Sequence, residues 1–117
     1  MINNNWVIKE WQFKAWTEDC NQAWLCNFNQ YDSNIVDLII NTSTEHFDTK
    51  QWFLNIPKGM RVILQGNNMP HSDHFVKTET IDEFKDQYPL STYCYQGTKT
   101  FEYPDWSFTR FMTIGYK

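Results

Sequence analysis

A first candidate site in this 117-residue chain is His71-Ser72-Asp73-His74. Two imidazoles and a carboxylate so close together supply the nitrogen and oxygen donors that a divalent transition metal takes. His46, or Glu79 beyond His74, would complete a shell around His71, Asp73 and His74. The alternative is a solvated polar loop whose imidazoles ligate nothing.

A second grouping surrounds Arg110. From Trp106 to Tyr116 the sequence alternates with a period of two, which places Trp106, Phe108, Met112, Ile114 and Tyr116 on one face with Arg110 among them. A guanidinium cannot be neutralised, so on a buried face it must be paired or meet a ligand. Asp37, between Ile35 and Ile39 on another segment, is the carboxylate counterpart for a buried ion pair. Walled by Tyr93, Tyr95, Trp106 and Phe108, Arg110 would instead anchor a small-ligand pocket, with His71 or His46 as the sensible acid–base group. A strand edge or a bulge would free Arg110 of both roles and stack it on a ring with its head in water.

Tryptophans form the third grouping. Trp6, Trp11 and Trp16 are five residues apart, and odd spacing on a strand puts Trp11 opposite the other two. A flat sugar platform is therefore disfavoured. Trp6 and Trp16 flank a polar face, where an interface is their expected use, while Trp11, Trp24 and Trp106 suit a core. Nucleophilic chemistry has no support: Cys26 and Cys94 lack an activating neighbourhood, and neither a phosphate-cradling glycine loop nor a nucleophile elbow occurs. No organic cofactor is implied, and a divalent metal is the one inorganic group these residue types would take.

The elements that must position these groups follow from composition. Twenty-one aromatic residues stand against two Ala and five Leu, which starves helices and favours pleated surfaces. The length fits one domain spanning 1–117. Three cysteines make no disulfide framework, no secretion signal or long apolar run is visible, and a cytoplasmic location is expected. Ten basic residues are dispersed in a chain of net charge −4, so no stripe exists to bind a nucleic-acid backbone, and no membrane association is expected.

Alternation predicts strands over residues 6–16, 24–28, 35–40, 60–65, 75–78, 92–96, 99–103 and 106–116, although residues 18–28 also fit a helix capped by Thr17. Thr42 and Glu45 have capping-box spacing for a short helix running to Leu54, and Thr80 and Glu83 have it for a second helix ended by Pro89. Residues 66–72 read as a loop, and Gly97-Thr98 and Pro104-Asp105 as turns. The expected architecture is α+β: a mostly antiparallel, strongly curved sheet of about seven strands, a partial barrel, with one or two short helices. The expected function is non-enzymatic binding, with exposed aromatics serving a homodimer or a protein partner. The alternative is a small-ligand pocket or small enzyme anchored by Arg110.

Overall fold

The computed structural model describes residues 19–21 and 36–117. Their centre is a four-stranded mixed sheet. Strand β1 (Ile39–Asn41) lies parallel to β2 (Arg61–Asn67), β2 is antiparallel to β4 (Ser107–Tyr116), and β4 is antiparallel to β3 (Thr92–Glu102), giving the order β1-β2-β4-β3. A parallel pair cannot be closed by a tight turn. The connection from β1 to β2 therefore carries a 3-10 turn, Thr44–His46, and helix α1, Gln51–Leu54. Helix α2 (Ile81–Gln87) separates β2 from the β3–β4 hairpin.

This corrects the expected architecture. The sheet is open and mixed, with four strands among the described residues, and neither seven antiparallel strands nor a partial barrel is present. Two specific differences account for much of the change. The stretches 92–96 and 99–103 are one strand, because Gly97 pairs with Met112 in the ladder instead of turning. A Cβ at Gly97 would collide with the Tyr95 ring, so the glycine makes room for that ring to lie back along its own strand. The stretch 75–78 pairs with no strand and runs as an irregular connection.

Helix α2 forms where its sequence says it should. Thr80 Oγ1 accepts a hydrogen bond from the Glu83 amide at 3.1 Å, and Glu83 Oε2 accepts one from the Glu79 amide at 2.7 Å. Its buried face, Phe84 with Tyr88 just past its end, meets Trp52 and Phe53 of α1 and the sheet residues Val62, Leu64 and Phe111. The Tyr88 ring lies 5.4–5.5 Å from Trp52, Phe53 and Phe84, within the range of tilted and edge-on aromatic packing. At the far end of the chain, the Lys117 ammonium donates to the carbonyls of Phe53, Leu54 and Ile56, satisfying the end of a helix too short to hold itself.

The core lies on the side of β4 opposite to the expected one. Phe111, Thr113 and Gly115 are buried beneath the helices, whereas Arg110, Met112, Ile114 and Tyr116 occupy the other side. Thr113 and Gly115 are inconspicuous in a hydrophobicity pattern, yet small residues let other backbone and side chains approach closely. Phe108 is buried too, but by a local stack of rings on the hairpin: Phe101 at 5.1 Å and Trp106 at 5.6 Å.

Tyr88 ties this core to the 3-10 turn, its hydroxyl donating to the Thr44 carbonyl at 3.4 Å. Burial pushes the Tyr88 phenol up to about 12, and the nearby Glu45 carboxylate adds to the shift. A raised phenol favours the protonated, folded form. Its contribution is thus whole below the usual value near 10 and is lost as pH climbs towards about 12. The melting temperature of the chain should fall over that window, and that of Tyr88→Phe should fall less steeply. Equal slopes for the two proteins would contradict this account.

Candidate functional site

The turn after β1 and the loop after β2 bring Glu45, His46 and His74 together. One ligand atom from each lies within 4.8 Å of the others. The imidazoles of His46 and His74 meet edge to face, with ring centroids 4.6 Å apart, and His46 Nε2 is 3.9 Å from Glu45 Oε1. Such spacing lets a single cation touch all three groups after small side-chain adjustments. Two nitrogens and a carboxylate oxygen match the donor sets of zinc and its neighbours, with positions left open on the cleft side.

Glycine at position 66 makes the turn's approach possible. A Cβ there would stand 2.5 Å from Thr44 Oγ1, 3.0 Å from the Phe84 ring and 3.4 Å from Glu45 Oε2. Thr44 also donates its hydroxyl to the Gln65 carbonyl at 3.1 Å, which seats the turn on β2. The Glu45 carbonyl accepts from the amides of Phe75 at 2.8 Å and Val76 at 3.4 Å, which pins the segment just after His74.

A chain of hydrogen bonds then links two of the three side chains. Asn67 Nδ2 donates to Glu45 Oε1 at 2.5 Å, and Asn67 Oδ1 accepts from the Met69 amide at 2.9 Å. The Met69 carbonyl in turn accepts from His74 Nδ1 at 2.6 Å. With Nδ1 donating to a backbone carbonyl, the lone pair of His74 is at Nε2, the arrangement that orients metal-bound histidines.

Glu45 is the unexpected member. It is only 5% exposed, and its Oε2 is buried with no hydrogen-bond partner. A buried carboxylate is costly unless paired or coordinated. Among the described residues no Lys or Arg reaches it, and the His46 imidazole is its nearest basic group.

The three side chains open onto a polar cleft of about 530 Å³, whose wall also includes Ser43, Gln65 and Arg110. Arg110 stands opposite Asn67 in the β2–β4 ladder, next to the residue that holds Glu45. The guanidinium lies over the rings of Phe101 and Phe108, 5.5 and 5.8 Å from their centroids. It is exposed and, among the described residues, makes no ion pair.

The remaining site residues expected from sequence are scattered. His71 is exposed and packs against the His74 ring at 5.5 Å, but its Nδ1 accepts from the Asp73 amide at 3.1 Å. Asp73 is exposed, with its carboxylate 3.7 Å from His71. Glu79 is exposed and does not join the Glu45, His46 and His74 group. Asp37 is exposed ahead of β1 and forms no ion pair with Arg110 among the described residues. Tyr93, Tyr95, Trp106 and Phe108 do not line the cleft that Arg110 lines. A bulge at Cys94 separates the two tyrosines, for Tyr93 pairs with Gly115 and Tyr95 with its neighbour Ile114. Tyr93 consequently joins the core side while Tyr95 faces outward, 52% exposed. Trp6 and Trp16 lie outside the described residues, as do the strands expected over 6–16 and 24–28.

Comparison with protein-family models, with curated proteins and with solved structures gave no match to this chain. Among the described residues, no helix is long and apolar enough to cross a membrane. Any function must therefore be argued from the site itself.

Proposed function

We propose that this chain binds a divalent transition metal of the zinc type through Glu45, His46 and His74, leaving coordination positions open to the cleft. The observation that carries the reading is the buried Glu45 carboxylate, whose Oε2 has no partner and which lies with two imidazoles so that one ligand atom from each is within 4.8 Å of the others. A cation there supplies the missing countercharge. Three protein ligands with an exposed fourth direction are the pattern of a working metal centre, as opposed to the closed four-ligand shell of a purely structural one. Cobalt(II), a spectroscopic stand-in for zinc, tests this. One equivalent should produce visible absorption bands that His46→Ala abolishes, and bands unchanged in that variant would refute the assignment.

A second reading, self-association, draws on a different observation. Ile40 on β1, an edge of the sheet among the described residues, is 58% exposed, and Leu38 just before it is 39% exposed. An apolar edge strand of this kind invites pairing with another copy. Ile40→Lys should then shift a dimer to a monomer in analytical ultracentrifugation, and a wild-type chain that sediments as a monomer at high concentration removes the reading.

A further inference from the structure

We propose that the metal centre takes a small oxyanion, of the phosphate or carboxylate kind, held between the bound cation and Arg110; this rests on the metal reading above. Arg110 lines the same cleft as Glu45, His46 and His74. A divalent cation beside a single carboxylate leaves the centre positively charged, and Arg110 adds a further positive charge that no described carboxylate offsets. No acidic residue besides Glu45 lines the cleft.

The way Arg110 is held matters as much as its charge. Its guanidinium carbon lies over Phe101 and Phe108, 5.5 and 5.8 Å from their centroids, and no described residue makes an ion pair with it or takes a hydrogen bond from its five N–H groups. The two rings thus flank the group while its donors stay free for a ligand, and a guanidinium fork matches two oxygens of one anion. The neighbouring lining residues are neutral. Neither the Gln65 amide nor the Ser43 hydroxyl has a hydrogen-bond partner among the described residues, so both are available to a third oxygen. Metal on one side, guanidinium on the other and neutral donors between them select a compact anion over an apolar or cationic ligand.

The test uses the cobalt-loaded full-length chain, with its visible bands followed as inorganic phosphate or, separately, acetate is added. Saturable perturbation by either anion is expected, and whichever binds more tightly identifies the class. Arg110→Gln should weaken that binding by roughly 10- to 100-fold, the range for losing a charge-assisted bidentate contact, while cobalt still binds and gives its visible bands. Lys99→Gln removes an equal charge from the residue facing Arg110 across the β3–β4 ladder, but outside the cleft lining, and should leave anion affinity within about twofold. If cobalt fails to bind, the metal reading falls. If cobalt binds but neither anion perturbs it, or Arg110→Gln and Lys99→Gln weaken binding equally, the oxyanion proposal is overturned and the metal reading stands.

Discussion

If the proposed site holds zinc, replacing His74 with alanine should lower zinc affinity by more than about 100-fold, beyond the ~10–100-fold that loss of a merely supporting partner costs. The reason is geometric. His74 is one of the three proposed ligands, and with Nδ1 bonded to the Met69 carbonyl at 2.6 Å its Nε2 is the nitrogen left for a cation. With two ligands left, the cation depends on water and on a single imidazole–carboxylate pair. His71→Ala provides the contrast, because His71 lies beside the cluster without belonging to it. Competition titration against a chromogenic zinc chelator reads both variants. A His71→Ala chain that loses zinc while His74→Ala keeps it would return the site to the His71-Asp73 loop.

Gly66→Ala should damage fold and site together. The new Cβ meets Thr44 Oγ1 at 2.5 Å and the Phe84 ring at 3.0 Å. Phe84 is held by Tyr88 and Phe111 and has little room to retreat, so the Thr44–His46 turn must lift away from β2. Overpacking of this kind costs about 1–3 kcal/mol. Glu45 rides on the same turn, so zinc affinity should fall in parallel with stability. Urea unfolding and zinc titration of the one variant measure both effects. Full stability with unaltered zinc binding would show that the close approach of turn and strand is unimportant.

How much of this was legible in the sequence depends on whether the deciding interaction is local. Helix α2 was, because Thr80, Glu83, Phe84, Tyr88 and Pro89 carry its start, face and stop within one short segment. The period of two in β4 was legible as well, but not which side is the core. Aromatic residues fall on both sides of that strand, and the buried side is completed by Thr113 and Gly115, which hydrophobicity does not flag. The parallel pairing of β1 with β2 joins strands separated by residues 42–60 and leaves no local mark.

The metal site divides in the same way. His74 stood out through its loop, and His46 as a residue able to complete a shell. Glu45 did not, because spacing from Thr42 offered it a capping role instead. In the structure Ser43 precedes the turn without a side-chain cap, and Glu45 is turned inward. The adjacent pair Glu45-His46 was the available signal: two ligand types side by side, just after a strand and opposite a glycine. Arg110 was flagged as a charged residue amid an apolar pattern, and it does line a cleft, though with polar neighbours in place of the expected aromatic walls.

The central claim is that Glu45, His46 and His74 hold one metal ion. The most direct measurement is anomalous scattering at the zinc edge from crystals of the zinc-loaded protein. The account predicts one strong peak about 2.0–2.2 Å from a Glu45 oxygen, a His46 nitrogen and His74 Nε2. A peak at His71 and Asp73 instead, or none at the Glu45 carboxylate in fully loaded crystals, would contradict it.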